Sequence, residues 1–241
     1  MRSKVRGLED RRQFLRVAAA AGLVVVSIPV AAGAVSKLKI GFIGSGKIGG
    51  ALGSLWYKAG HEIMFSSLDL EHDKQLAAGL GPNAHAGTTR DAAAFGDAVL
   101  IAIPYAALPK VGKEIADLIK GKIVIDTCNP IVARDGEIAT WARERGAGLA
   151  SAELLSGARL VRAFNAIGYA RLPEAGARGI GMPIAGDDAD ALEVASGLVR
   201  EIGLEPVVVG GLAMGRYLIP GTPLAGEHTA AQIKEIAATL K

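Results

Sequence analysis

The residues of this 241-residue chain with the clearest chemical meaning are Gly44, Gly46 and Gly49, in the run Lys39-Ile40-Gly41-Phe42-Ile43-Gly44-Ser45-Gly46-Lys47-Ile48-Gly49. After an apolar strand, glycines at this spacing have separate tasks. The first allows a tight turn, the second lets backbone N–H groups approach a pyrophosphate, and the third lets the next helix pack closely on the strand. The N-terminus of that helix then offers partial positive charge to the phosphates. The pattern predicts a dinucleotide-binding βαβ unit in which Gly44, Ser45, Gly46, Lys47, Ile48 and Gly49 surround the phosphates. Gly41, Gly46 and Lys47 also fit the spacing of a triphosphate loop, but Ile48 stands where that loop needs a hydroxyl for magnesium.

Further candidates follow the other apolar runs, because ligands of open α/β sheets lie beyond the carboxyl ends of the strands. Ser66 and Ser67 stand where the adenosine ribose is read. Neutral hydroxyls there can donate to a 2′-phosphate and favour NADP, while Leu68 leaves the site without an arginine and keeps NAD open. Asp69 reads as a helix cap. Ile103, Pro104 and Tyr105 are placed along the nicotinamide, Asn129 offers it an amide, and Phe164, Asn165 and Ile167 face the substrate. No catalytic acid or base stands out. Hydride transfer needs little side-chain chemistry, since the cofactor carries the reaction and the protein orients it. Cys128, the single cysteine, reads as inert after a buried strand, and His61, His72, His85 and His228 lack metal-ligand spacing, so no metal site is expected. Asp187 and Asp188 read as caps of the following helix.

To hold these residues, strands and helices must alternate. Strands are expected at Leu38–Ile43, Glu62–Ser66, Asn83–Ala86, Ala98–Ile103, Lys122–Asp126, Leu160–Asn165, Pro183–Ala185 and Glu205–Val209. Helices are expected at Ile48–Lys58, Leu70–Ala78, Thr89–Phe95, Leu108–Lys120 and Asp187–Ile202, with a last one from Thr229. The fold class is therefore α/β, a Rossmann-type doubly wound parallel sheet with helices on both faces. Residues 35–210 form the NAD(P)-binding domain and residues 211–241 an extension packed on it.

The first 34 residues carry a different message. Asp10-Arg11-Arg12-Gln13-Phe14-Leu15 precedes an uncharged stretch and then Ala32-Gly33-Ala34, a small-residue cleavage pattern, so this segment reads as a twin-arginine export signal. An uncleaved membrane anchor is the alternative, since Val17 to Ser36 is 20 residues without a charge. Without residues 1–34 the formal charge moves from +3 to −1, so the basic balance belongs to the signal and nothing points to nucleic acid. The mature protein is expected in the periplasm, with no stable membrane insertion after processing.

Ile40–Gly49, His61–Ser67, Ala102-Ile103-Pro104-Tyr105, Val161-Arg162-Ala163-Phe164-Asn165 and Pro183-Ile184-Ala185-Gly186-Asp187-Asp188 together resemble the F420-dependent NADP oxidoreductase family, which includes the STEAP reductase domains. The resemblance implies that the glycine run binds the cofactor pyrophosphate, that a Ser-Arg pair after the second strand takes the 2′-phosphate, and that Phe164-Asn165 lies near the hydride acceptor. Leu68 departs from that pair, and Gly221–His228 departs from the family's deazaflavin enzymes. The expected activity is thus hydride transfer between NADP, or NAD, and a small-molecule acceptor: a flavin, a deazaflavin or a relative. An exported dinucleotide-binding accessory protein without turnover is the second reading, and a homodimer is left open. If the signal is real, changing Arg11 and Arg12 together to Lys holds a folded precursor in the cytoplasm. Unaltered export on cell fractionation would remove the twin-arginine assignment.

Overall fold

The computed structural model describes residues 36–240. The export signal and the processing site expected within residues 1–34 lie outside the described residues, as does Lys241.

From β1 (Lys39–Ile43) the chain runs through α1 (Lys47–Lys58), β2 (Glu62–Ser66), α2 (Leu70–Leu80), β3 (Ala84–Ala86), α3 (Thr89–Phe95), β4 (Ala98–Ile101), α4 (Leu108–Ile119) and β5 (Ile123–Asp126). Three helices follow, α5 (Val132–Asp135), α6 (Glu137–Arg145) and α7 (Ala147–Leu154), and then β6 (Arg159–Arg162), α8 (Leu172–Ala175), β7 (Gly181–Gly186), α9 (Ala189–Glu201), β8 (Glu205–Gly210) and α10 (Ala230–Thr239). The strands make one sheet in the order β3-β2-β1-β4-β5-β6-β7-β8. From β3 through β6 every pairing is parallel.

Strand periodicity builds two cores. Ile40, Phe42, Leu100, Ile125 and Val161 point to one face, where Leu52 and Trp56 of α1 and Ala195, Leu198 and Val199 of α9 cover them. Ile43, Val99, Ile101, Val124 and Leu160 point to the other, under α3, α4, α6 and α7. Each central strand is buried on both sides, which is why these runs are continuously apolar rather than alternating. Helix starts follow local chemistry. Asp69 accepts the His72 N–H at 3.0 Å and Asp188 the Ala191 N–H at 2.9 Å, as caps. Thr88 with Asp91 and Thr229 with Gln232 form capping boxes.

The sheet departs from the expected parallel arrangement at one seam. β7 runs antiparallel to β6, matching only Val161 with Gly186 and Arg162 with Ala185, while β8 is parallel to β7. A parallel return needs a crossover with a substantial helix. Between β6 and β7 the longest α-helix is the four-residue α8, so the chain turns back at the edge it has just left. Residues 211–240 pack on this reversed pair, with Leu218, Leu224, Ala230 and Ile233 forming a third core against Ala185 and Val207.

Trp56 joins the layers. Its ring meets Phe42 at 5.8 Å and Phe164 edge-on at 5.7 Å, and its indole N–H donates to Leu198 O of α9 at 2.9 Å. Trp56→Ala should lower the free energy of unfolding by about 3 to 5 kcal/mol, seen as a lower denaturant midpoint at unchanged slope. A loss below about 1 kcal/mol would contradict this packing.

Candidate functional site

Strand register sets the position of the site. Ile43 lies opposite Ser66 and Ile101, Ile101 opposite Asp126, and Asp126 opposite Arg162, so the loops after β1, β2, β4, β5 and β6 leave the sheet along one line. The crevice opens between β1 and β4, where the direction of winding reverses.

The glycine loop has the form its sequence requires. Gly44 sits at φ 98°, and a Cβ there would meet the Ala102 carbonyl. A Cβ at Gly49 would collide with the Gly44 carbonyl, so α1 can lie this close to β1 only with glycine. At Gly46 an added Cβ meets nothing within 4 Å, which leaves the loop open on the side a ligand would take. Gly46 begins α1 without a side-chain cap, and the first turn carries no acidic residue. The leading N–H groups of α1 are thus left for an anion.

Two cavities flank this loop. One, of about 410 Å³, is bounded by Gly44–Gly46, Ser66–Asp69 and His72, and on its far side by Thr89, Ile103 and Pro104. The other, of about 480 Å³, is bounded by Ile48, Asn129, Asn165–Tyr169, Pro220, Gly221, Ala225 and Gly226. Residues 43–48 run between them, so an extended ligand crossing the uncapped helix start would reach into both.

The structure distributes the expected site residues differently from their grouping by strand end. Ile103 and Pro104 border the same cavity as Ser67. Tyr105 lines neither cavity. It is fully buried, its hydroxyl 3.2 Å from Ser151 Oγ, and burial pushes that hydroxyl well above its ordinary pKa. Ser66 backs the first cavity, but its hydroxyl donates to Phe42 O at 2.7 Å and so is unavailable to a phosphate. Lys47 borders a shallower hollow with Gly46 and His72, its Nζ 5.1 Å from the Tyr169 ring centroid. Asn129, Asn165 and Ile167 do come together, in the second cavity. Phe164 does not line it; the residue is buried against Trp56.

Beneath the second cavity lies a buried polar network that sequence reasoning did not reveal. Arg162 and Asp126, both without solvent contact, form an ion pair through Nη1 and Oδ2. Asp126 Oδ1 accepts the Cys128 N–H at 2.7 Å, and Arg162 Nη2 donates to Cys128 O at 3.0 Å. Cys128 is sealed in behind this turn, and burial, then Asp126, push its thiol well above the ordinary cysteine value. A protonated, buried thiol is not a nucleophile. Asn129 Nδ2 donates to Asn165 O at 2.9 Å, yet the carboxamide oxygens of Asn129 and Asn165 are buried and lack any partner within the protein. Buried acceptors without partners are rare, and here both belong to residues that line a cavity. Among the described residues no group of His, Cys, Asp or Glu is arranged to hold a metal ion.

Comparison with known proteins agrees with this geometry. The family model for NADP oxidoreductase, coenzyme F420-dependent, matches residues 39–130. An F420-dependent NADP reductase of Methanothermobacter thermautotrophicus is 32% identical over 213 residues, covering 79% of this chain and 88% of the relative. The chain belongs to the F420-dependent NADP oxidoreductase family. Among solved structures, a hypothetical protein from Sinorhizobium meliloti superposes with a TM-score of 0.65 at 25% identity, over 80% of this chain and 96% of its own. A Plasmodium falciparum pyrroline carboxylate reductase solved with NADP bound shares the fold, with a TM-score of 0.51 at 13% identity over 71% of this chain and 58% of its own.

Within this family the glycine loop of the present chain allows a clean separation of binding from folding. Gly46→Val should leave the melting temperature within a few degrees, since its Cβ meets open space, while dinucleotide binding is abolished. Gly49→Val should instead unfold or strongly destabilise the protein. Calorimetry showing undiminished affinity for Gly46→Val would remove the loop from the site.

Proposed function

We propose that this member of the family is an NADP(H)-dependent oxidoreductase whose second cavity receives a conjugated hydride acceptor of the flavin or deazaflavin kind. The uncapped start of α1 and the open Gly46 would hold the pyrophosphate. The first cavity would take the adenosine, and the two carboxamide oxygens would accept N–H groups of the nicotinamide amide or of the acceptor ring. NADPH, when bound, supplies the hydride. The protein's part is to hold the two partners face to face and keep water from between them.

The composition of the second cavity carries this reading. Among the described residues its lining contains no carboxylate, lysine, histidine or cysteine, and Tyr169 is its one titratable side chain. Alcohol and carbonyl substrates require a placed acid or base for the proton that accompanies the hydride. A conjugated ring can take the hydride at one atom and exchange its proton with solvent, so it suits a wall of Gly, Pro, Ala and amide groups. The chemistry named for the M. thermautotrophicus relative supports the same class. Export through the signal expected at residues 1–34 belongs to this proposal and places the activity in the periplasm. There the enzyme would need to carry its cofactor with it or obtain it from outside the cytoplasm.

The test is NADPH oxidation by the purified protein with FMN and with F420, followed at the NADPH absorbance. One of the two acceptors is reduced, and kcat stays flat from about pH 6 to pH 8.5, because no ordinary acid or base of the cavity titrates there. Asn165→Leu lowers kcat/KM by roughly tenfold or more through loss of a buried acceptor. A bell-shaped profile would mean that an acid–base group has been overlooked. Retained dinucleotide with no turnover on either acceptor would favour the accessory-protein reading.

A further inference from the structure

The first cavity rests on a carboxylate that forms no salt bridge among the described residues. Asp73, in the first turn of α2, is completely buried. One of its oxygens accepts the Ser45 hydroxyl from the glycine loop, and both lie within hydrogen-bond distance of the Ser67 hydroxyl after β2, at 3.0 and 2.9 Å. One side chain thus ties the phosphate loop to the ribose loop.

Hydroxyl bookkeeping decides what this tie does. A serine hydroxyl has one proton and two acceptor positions. Ser67 gives its proton to Asp73 and accepts the Asp69 N–H at 3.1 Å. Ser45 gives its proton to the same carboxylate. Neither hydroxyl can donate to a phosphate, and the acceptor capacity left over suits a ligand O–H. The rest of the lining does not make up the difference. Leu68 borders the cavity but is fully exposed and uncharged, the Asp69 carboxylate caps α2, and among the described residues His72 is the one basic side chain on the cavity wall.

We infer that Asp73, acting through Ser45 and Ser67, sets the cofactor choice by holding the cavity in a form that reads ribose hydroxyls and gains little from a 2′-phosphate, so that the protein takes NADH about as readily as NADPH. Asp73 is a positioning residue, since it reaches the ligand only through the two serines. The inference rests on the reading of this cavity as the adenosine site.

Titration calorimetry on the full protein tests it. For the unaltered chain the NADPH and NADH dissociation constants should lie within about tenfold of each other. Asp73→Asn removes the negative charge and supplies an N–H toward one serine, which frees that hydroxyl to donate outward. The ratio should then move toward NADPH by about tenfold or more. Ser67→Ala should weaken NADH at least as much as NADPH. Should Asp73→Asn fail to fold, Ser67→Ala decides alone, because a serine that donated to the phosphate would cost NADPH only. The inference is overturned by an unmoved ratio in a folded Asp73→Asn variant or by a selective NADPH loss in Ser67→Ala. If the unaltered protein binds neither cofactor, the dinucleotide reading falls first and takes this inference with it.

Discussion

The ion pair of Asp126 and Arg162 is the constraint around which the floor of the second cavity is arranged. The two residues end neighbouring parallel strands and have no solvent on either side. Burying two charges is costly unless their remaining hydrogen-bonding positions are filled. Two of them are filled by the turn that forms the cavity floor, while the Arg162 Nε–H has no partner among the described residues. Cys128 gives its N–H to Asp126 and its carbonyl to Arg162, and Ser151 of α7 lies 3.2 Å from the same guanidinium. The turn from Thr127 to Asn129 therefore has little freedom. The Asn129 carboxamide is held at the rim by electrostatics that never touch the ligand. A site whose chemistry is orientation needs this kind of rigidity more than it needs a reactive group.

A second constraint works from the opposite face of the sheet. Phe164 adopts φ 64°, a left-handed conformation that a bulky residue takes only when its surroundings impose it. Trp56 supplies part of that force through its edge contact, and Asn165 then follows in the position that brings its amide oxygen to the cavity. Since Trp56 stands on α1, the helix whose N-terminus faces the expected pyrophosphate also helps brace the acceptor side. Helix α1 and the segment entering the second cavity thus share one aromatic cluster of Phe42, Trp56 and Phe164.

How far the sequence could be read depended on whether a residue's role was set locally. Gly44 and Gly49 were legible because backbone geometry alone excludes a side chain there. The strands β1, β2, β4 and β5 were legible as continuous apolar runs, and Asp69 and Asp188 as caps, because each depends on neighbours within a few positions. Helices α5, α6 and α7 were not foreseen. α6 is polar, α7 is apolar around most of its circumference, and Gly136 and Gly146 interrupt the periodicity that would have marked them. Tyr105 and Phe164 were assigned to the ligand because they follow strands, whereas their burial depends on Ser151 and Trp56, many residues away. Ser45 and Ser67 were visible as hydroxyls, but the direction of their protons depends on Asp73 in another element.

The reversal of β7 explains why the acceptor remained the least legible part. If β6 had been followed by a full crossover helix, β7 would have continued the parallel sheet and the chain would have left the crevice. The short return instead keeps Asn165–Tyr169 at the crevice edge, and residues 211–240 fold back beside it, where the Gly226 N–H donates to Ala166 O at 2.8 Å. The second cavity is thus closed on one side by Pro220, Gly221, Ala225 and Gly226, which carry shape and almost no functional groups. Side-chain chemistry is what motifs record, and a wall made of backbone and small residues leaves little of it. On the proposed reading, selection among acceptors would fall to the shape of this cavity and to the two amide oxygens that line it. This separates the glycine-loop half, whose demands are written in residue types, from the half around the second cavity, whose demands are written in the path of the chain.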